Sequence, residues 1–246
     1  ARHLFDICQQ RKHNGEFNNP FVFFSQRNAV TGLAFDKGSM NTIHTSSLTH
    51  EIESYGSRSE LLSFIKNRFD ELAPGGVWVN RDVVGPEDRD RIVLMTLAKD
   101  DGRNDDFDKK HPTREGLSAY LKGLSTYGRF MRFAKDFRAK EKYQFKYDVV
   151  DDHVRLSLRD ACEFMSRKDY IDNWESEMHE TFCFWDFEDW RNHLTEVGFT
   201  ITNGSHAYTN QWIVDNRLKG KVALFSEDLS PVEYPVTNMI MVAEKS

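Results

Sequence analysis

The chain has 246 residues, of which 39% are hydrophobic and 29% are charged. It therefore has enough apolar residues to bury a core, which excludes an intrinsically disordered protein, and its length suits one domain with a large insertion or a small cap. No apolar run reaches the roughly 18 residues that span a bilayer, and no signal segment opens the chain, so we expect no membrane association.

The cysteines and the distribution of charge indicate more closely which kind of protein this is. Cys8, Cys162 and Cys183 are odd in number and far apart, which argues against a disulfide framework or a zinc knuckle and favours the cytoplasm. The net charge is −6, yet Arg103–Lys146 holds 12 Lys and Arg against 6 Asp and Glu. This basic segment suits an anionic partner such as RNA, although a solvated helical face gives the same pattern.

The first elements in chain order are a helix and two short strands. Ala1–His13 has a helical pattern, and because no methionine precedes it we expect the chain to begin inside a domain. Phe21–Phe24 is a short apolar run of strand formers that predicts a buried strand, and Met40–Thr45 predicts a weaker one.

A well-marked helix and a strand follow. Ser57 and Glu60 have the spacing of a capping box, in which each side chain satisfies a backbone donor at the helix start. The next apolar residues fall on one helical face. Pro74–Gly76 ends this helix and Val77–Val79 predicts a strand directly after it. Strand, helix, turn and strand in this order predict a parallel α/β sheet.

The pattern changes between Gly85 and Thr181, where helix signals dominate. We predict helices over Gly116–Leu124, Phe130–Lys142 and Leu156–Met165. Residues 85–181 are therefore predicted to be an inserted, mainly helical cap, although a helical elaboration that only covers a sheet edge gives the same pattern.

The α/β pattern resumes after the insertion. Asp186 is predicted to cap a helix, with Asp189 in its first turn, and Gly198 stands where a left-handed C-terminal cap is expected. Strands are then predicted from the apolar segments Phe199–Thr202, Lys221–Phe225 and Asn238–Ala243.

Five segments in this order resemble class I S-adenosylmethionine-dependent methyltransferases. Phe21–Ala29 resembles the third strand of that family and the residues after it. Leu33–Met40 and Thr45–Tyr55 resemble the approach to the fourth strand and the stretch after it, and Leu72–Asp82 resembles the entry into the fifth strand. Phe187–Phe199 is similar to the family's last helix and its exit.

The resemblance implies a Rossmann-like methyltransferase sheet that is N-terminally incomplete, with a helical insertion after the fifth family strand. The methyltransferase core would then comprise residues 1–84 and 182–246, and the cofactor would be S-adenosylmethionine. The family's glycine-rich cofactor loop and the acidic residue that binds the ribose are missing, since both would precede Ala1. We therefore expect the chain to be a fragment with impaired cofactor binding.

The resemblance and the strand ends also suggest cofactor-binding residues. Asn28 and Ala29 would lie at the adenine ring, where the Asn28 carbonyl can accept from the amino group. Thr45, Ser46 and Ser47 end the fourth family strand, where small polar residues leave room for the cofactor and the acceptor. An ordinary turn at Asn28 and a helix N-cap at Thr45–Ser47 are the structural alternatives.

Candidate catalytic and substrate-binding residues lie along the same edge. His50 and Glu51 are the candidates for the general base, because an ordinary histidine pKa suits proton removal from an acceptor. Tyr55, Arg81 and Asp82 are the candidates for substrate contact. A histidine that fixes a loop and a structural Arg81–Asp82 ion pair are the alternatives.

Two further kinds of site were considered. The pairs His50-Glu51 and His179-Glu180 lack the i, i+4 histidine spacing of a helical metal site, so no metal is expected. Basic and aromatic residues alternate within the insertion, as in RNA-binding surfaces. However, Phe130, Phe133 and Phe137 share one helical face that is typical of core packing, with Arg129 and Arg132 then solvated.

The leading hypothesis is an enzyme that transfers a methyl group to a small or medium-sized molecule rather than to nucleic acid. The alternative is a non-catalytic methyltransferase-like interaction module of a larger protein, which the missing cofactor loop would favour. A third hypothesis, another nucleotide-binding α/β enzyme, lacks its glycine fingerprint. The incomplete sheet leaves one flank uncovered, so a homodimer is one expected arrangement.

Overall fold

The structure is a computed structural model that describes residues 2–104 and 109–246. Ala1, at the start of the predicted first helix, and residues 105–108, within the predicted basic segment, lie outside the described residues. The described chain is a mixed α/β fold with two five-stranded sheets.

The helices are α1 (Arg2–His13), α2 (Thr49–Tyr55), α3 (Arg58–Glu71), α4 (Arg114–Lys122), α5 (Thr126–Asp136), α6 (Leu158–Arg167), α7 (Trp174–Glu177), α8 (Phe187–Val197) and α9 (Gln211–Ile213), the last continuing into a π-helical turn over Val214–Leu218. The strands are β1 (Met40–Ser46), β2 (Leu72–Val83), β3 (Ile92–Leu97), β4 (Tyr147–Val150), β5 (His153–Ser157), β6 (Phe199–Ile201), β7 (His206–Tyr208), β8 (Val222–Phe225), β9 (Pro231–Val232) and β10 (Asn238–Lys245).

The first sheet has the order β1-β2-β10-β6, and β7 also pairs with β10. Strands β1 and β2 are parallel, while β10 runs antiparallel to β2, β6 and β7. Helices α2 and α3 connect the parallel pair, which confirms the predicted strand–helix–strand unit. The carboxyl ends of β1 and β2 therefore lie at the same edge as the start of β10.

The predicted helix caps are present, but only half of the capping box predicted at Ser57 forms, because the Glu60 carboxylate accepts from the Ser57 hydroxyl (3.1 Å) and not from a backbone donor. Ser57 accepts a hydrogen bond from the Glu60 backbone at the start of α3 (3.2 Å). Asp186 and Asp189 form a reciprocal capping box at the start of α8, and Gly198 ends that helix with a φ of 114°. Only glycine adopts such a backbone without strain, which explains where α8 stops.

The second sheet has the order β4-β5-β3-β8-β9, with antiparallel pairs throughout. The predicted helices of residues 85–181 are present as α4, α5 and α6, but three strands of this segment were not predicted. Strands β4 and β5 form a hairpin whose turn places Asp151 at a φ of 51°, a conformation that aspartate tolerates. Helix α5 ends earlier than predicted because Arg138 has a φ of 48°, outside the right-handed helical region.

The strand predicted at Lys221–Phe225 exists as β8, but it belongs to the second sheet and pairs with β3. The second sheet therefore contains strands from the predicted insertion and from the part of the chain that follows α8. The division into residues 1–84, 85–181 and 182–246 stays a prediction.

The buried strand predicted at Phe21–Phe24 is wrong. The segment is extended without strand pairing, and the side chains of Phe21 and Phe23 are 78% and 81% exposed. A strand needs a hydrogen-bonded neighbour, and β1 pairs with β2 alone among the described strands. The apolar run therefore pairs with none of the described strands.

Each sheet has its own hydrophobic core. Trp78 on β2 is fully buried between Phe64 on α3 and Phe199, with ring centroids 6.0 and 5.9 Å apart. The second core surrounds Phe130, Phe133 and other aromatic residues between the second sheet and α4–α6. Within the described residues, no helix is long and apolar enough to cross a membrane.

Candidate functional site

The carboxyl edge of the parallel pair carries most of the predicted site residues. Thr45 and Ser46 end β1, Ser47 follows with a φ of 51°, and Asp82 lies near the end of β2. The Ser47 backbone donates to the Arg81 carbonyl (2.9 Å), which fixes the turn from β1 into α2. The structure thus places these residues side by side.

Asp82 caps the helix that follows β1. Its Oδ2 accepts hydrogen bonds from the backbone of Leu48 (3.1 Å) and Thr49 (2.7 Å) and from the Thr49 hydroxyl (2.6 Å). A carboxylate satisfies the exposed donors of a helix start and interacts favourably with its dipole. The cap of α2 therefore comes from the neighbouring strand, and neither Thr45–Ser47 nor Arg81 provides it.

A chain of buried hydrogen bonds continues from this cap into the sheet. The Thr49 hydroxyl accepts from the Asn80 amide (3.4 Å), and the Asn80 carbonyl accepts from the Thr45 hydroxyl (2.7 Å). Thr45 in turn accepts from the Trp78 indole (2.9 Å). The Thr45 hydroxyl is thereby used inside the protein, whereas Ser46 is exposed at the same edge.

His50 connects this chain of buried hydrogen bonds to the predicted insertion. Its Nδ1 lies 2.6 Å from Asp82 Oδ1, and its Nε2 lies 3.5 Å from Glu180 Oε2. The imidazole is almost fully buried, and its ring contacts the Phe182 ring at 4.9 Å between centroids. His50 is thus held between a carboxylate of the first sheet and a carboxylate that follows α7.

Burial alone would lower the pKa of His50, but hydrogen bonds to Asp82 and Glu180 and the charges of both carboxylates raise it to about 9. Burial likewise opposes the ionisation of Asp82 and Glu180, yet the hydrogen bonds and charge of His50 hold both pKa values below their usual range. His50 is therefore an imidazolium at neutral pH. The ordinary pKa expected for a general base was wrong for this residue.

The raised pKa of His50 predicts a loss of stability at high pH. A group with a raised pKa in the folded state contributes fully below its unfolded pKa of 6.5, and the contribution disappears as pH rises through about 9. Between these limits the free energy of unfolding should fall by about 3 kcal/mol, since each pKa unit corresponds to about 1.4 kcal/mol. Urea unfolding at several pH values measures this fall.

His50→Gln should remove most of that pH dependence, because glutamine does not titrate. The matched control is His206→Gln, because His206 is an exposed histidine of β7 that takes no part in the buried hydrogen bonds around His50. If the free energy of unfolding changes equally with pH in the unaltered protein and in His50→Gln, the raised pKa does not belong to His50.

Glu180 was missed by sequence reasoning, which considered it only as part of a His-Glu pair. Its position depends on the buried pair Glu163–Arg167 of α6. Arg167 donates to the carbonyls of Glu177 and Glu180, and Glu163 accepts from the backbone of Phe182 and Cys183. This pair holds the segment that brings Glu180 to His50, a contact across 130 residues that no local signal predicts.

Two further carboxylates and a tyrosine lie beside this contact. The Tyr55 hydroxyl donates to Glu180 Oε1 (3.0 Å), and burial together with the charge of Glu180 raises the pKa of Tyr55 to about 12. Burial and the same charge raise the pKa of Glu177 to about 7. Glu51 is exposed on α2. The raised pKa of Glu177 places its protonation equilibrium near neutral pH.

The structure separates the predicted Arg81–Asp82 pair. Adjacent strand residues point to opposite faces, so Asp82 is buried while Arg81 reaches the Ser47 hydroxyl (3.5 Å). Asn28 is exposed, and its carbonyl accepts from the backbone of Val30 (3.0 Å) in a local turn, next to the half-buried Ala29. The proposed roles of these residues stay predictions.

The described residues do not by themselves fit a whole S-adenosylmethionine molecule. Asn28 and Thr45 already use their side-chain oxygens in internal contacts. Gly15 and Gly32 are isolated glycines, and neither belongs to a phosphate- or nucleoside-type loop. A polar edge at Ser46 and Ser47 is present, where both residues are exposed.

The basic segment is more internally paired than predicted. Arg129 and Arg132 form ion pairs with Asp169 (3.0 Å) and Asp136 (2.6 Å), so neither is fully solvated. Phe130, Phe133 and Phe137 are buried, as core packing requires. Among residues 2–104 and 109–246, no group of three or more His, Cys, Asp or Glu side chains is arranged to hold a metal ion.

Comparisons with known proteins give matches at the level of structure. No family model matches the chain, and no curated protein matches its sequence. A protein assigned as a methyltransferase in Bacillus halodurans aligns over 100% of this chain and 80% of its own, with 12% identity and a TM-score of 0.45. These are similarities in fold.

Two solved S-adenosylmethionine-dependent methyltransferases align less closely. The Mesorhizobium loti protein aligns over 92% of this chain and 72% of its own, with 11% identity and a TM-score of 0.40. The Methanosarcina mazei protein aligns over 90% of this chain and 66% of its own, with 13% identity and a TM-score of 0.37. Residue roles in this chain therefore depend on its own geometry.

Proposed function

We propose that this chain is part of an S-adenosylmethionine-dependent methyltransferase that acts on a small or medium-sized molecule. One observation carries the proposal: the polar residues Thr45–Ser47 and Asp82 meet at the carboxyl edge of a parallel strand pair, where α/β proteins bind ligands. Glu180 and Phe182 face this edge from the far side. The ordered sequence motifs around these residues support the same function.

The protein groups at this edge can position an acceptor and exchange a proton. Methyl transfer from a sulfonium requires the acceptor to be aligned with the donor and, for most acceptors, to lose a proton. His50 remains in the proposal as a positioning residue, because its charge holds Glu180 and, through it, the Tyr55 hydroxyl. Glu51 and Glu177 are the candidate carboxylates for accepting a proton, and the raised pKa of Glu177 suits proton exchange near neutral pH.

S-adenosylhomocysteine binding tests this function directly. We expect no saturable heat in calorimetry with the 246-residue chain at micromolar ligand, because this sequence lacks the family's glycine-rich cofactor loop. The longest natural chain that contains this sequence should bind. In that chain Asn28→Ala should weaken binding, whereas Asn14→Ala, in an exposed turn after α1, should not. Submicromolar binding by the 246 residues alone would contradict the expected fragment, and acceptor screening would follow binding in either case.

A second function has its own supporting observation. Phe21 and Phe23 are large, exposed apolar side chains in the segment that precedes β1 along the chain. Exposed apolar surface of this kind is typical of interaction sites. If neither chain binds S-adenosylhomocysteine, the non-catalytic interaction module becomes the better hypothesis, and a partner or a second copy of the chain should cover this surface.

A further inference from the structure

A cavity of about 80 Å³ lies at the carboxyl end of β2. Val83 and Asn238 line it from paired positions of the first sheet, and Met165 and Ser166 line it from α6. Phe182 closes the side toward His50. The cavity is therefore separate from the polar edge at Thr45–Ser47, with one aromatic ring between it and the buried imidazolium.

The lining of this cavity selects for uncharged molecules. Among the described residues that line it, there is no Asp, Glu, Lys, Arg or His. A charged ligand would lose its hydration without gaining a partner of opposite charge, which strongly disfavours its entry. Most of the lining side chains are aliphatic, aromatic or sulfur-containing, as in pockets for small organic molecules.

One side of the cavity is polar. Asn238 Oδ1 accepts a hydrogen bond from the Thr237 hydroxyl (2.9 Å). The amide nitrogen of Asn238 makes no hydrogen bond with any other described residue. This N–H group is therefore the donor we expect for an oxygen atom of the occupant, such as a hydroxyl or a carbonyl.

The opposite wall is an irregular helix. Ile213 and Leu218 line the cavity from the two ends of the π-helical turn, and Tyr170 lies at its exposed rim. The Arg217 guanidinium packs over the Tyr170 ring at 5.1 Å from its centroid. Single π-helical turns are frequent at functional sites, because the wider turn is retained where it shapes a site.

The volume limits the size of the occupant. A dry cavity of about 150 Å³ holds benzene, and a water molecule occupies about 30 Å³ of liquid. A volume of about 80 Å³ therefore suits roughly three non-hydrogen atoms. We infer that this cavity binds a compact, uncharged and largely apolar molecule or end group with one oxygen, about the size of ethanol. The inference does not depend on methyl transfer.

Methionine-methyl NMR of the 246-residue chain tests this inference without any cofactor. Titration with ethanol should shift the Met165 methyl signal saturably, with a Kd on the order of 10 mM. The signals of Met239 and Met241, buried in the core of the first sheet, should not move. The matched probe is acetate, which has the same two-carbon skeleton and a negative charge, and it should leave Met165 unshifted.

A cavity-filling variant provides the second arm. Ser166→Leu should abolish the Met165 shift, because the larger side chain occupies the cavity. Ser63→Leu is the matched control, since Ser63 is an exposed helical serine whose hydroxyl also bonds a carbonyl of its own helix. The unaltered chain with its two probes remains a complete test if Ser166→Leu does not fold. No saturable shift, or an equal shift with the carboxylate, would overturn the inference.

Discussion

Replacing Asp82 by alanine is expected to lower the free energy of unfolding by about 3–5 kcal/mol, the range for removing one partner of a buried ion pair. The substitution leaves the buried His50 cation with Glu180 alone and removes the acceptor for the backbone donors of Leu48 and Thr49. Since domains are stable by only about 5–15 kcal/mol, Asp82→Ala should remove a large fraction of the total stability.

Urea unfolding measures this effect, and two further variants separate its parts. Asp82→Asn keeps an oxygen acceptor for the start of α2 but loses the charge beside His50, so its loss should be smaller than that of Asp82→Ala. Asp70→Ala removes a partly exposed carboxylate that pairs with Lys66, and should change stability by about 0–1 kcal/mol. If Asp82→Ala lowers the free energy of unfolding no more than Asp70→Ala does, the buried hydrogen bonds of Asp82 do not stabilise the protein as inferred.

Replacing Arg167 by methionine should have a comparable effect, again about 3–5 kcal/mol. Arg167 is fully buried, pairs with Glu163, and its guanidinium packs over the Phe182 ring at 4.6 Å. Its loss would leave Glu163 as an unpaired buried charge and free the carbonyls of Glu177 and Glu180. The segment that carries Glu180 should then open more often.

Hydrogen exchange tests the local part of this prediction. In Arg167→Met the amides of Phe182 and Cys183, which donate to Glu163, should exchange faster than those of the first sheet. The double variant Glu163→Gln/Arg167→Met should recover part of the stability, because it removes the unpaired charge. Arg191→Met, at an exposed helical ion pair, is the matched control. It should change neither the stability nor the exchange rates of the Phe182 and Cys183 amides. Unchanged exchange at Phe182 would show that Arg167 does not hold this segment.

Local signals in the sequence predicted local structure well. The caps at Ser57 and Asp186 and the turn at Gly198 each depend on residues within a few positions, and the structure has all three, although the reciprocal box expected at Ser57 forms at Asp186 instead. The parallel unit of β1 and β2 was also predicted, because its strands and helices follow directly along the chain. The edge that carries Thr45 and Asp82 followed from this topology.

The chemistry at that edge could not be predicted in the same way. The pKa of His50 depends on Glu180, which is far away in sequence and reaches His50 only through the packing of α6. The Phe21–Phe24 run shows the converse, since its apolar pattern predicted a strand but pairing depends on a neighbour that the pattern does not reveal. Strands β4 and β5 were missed because each is short, and their alternation is weaker than the helical signal around them.

The strand order of the second sheet has a consequence for cutting the chain. Strands β3 and β5 precede α8, whereas β8 and β9 follow it. This sheet is therefore complete only when the chain before α8 and the chain after it are both present. Excising residues 85–181 would leave β8 without β3 and would expose Leu224, which is buried against the second core. The chain therefore cannot be trimmed to its first sheet by one deletion. A protease cut between α8 and β8 should leave two pieces that stay associated until the protein is denatured.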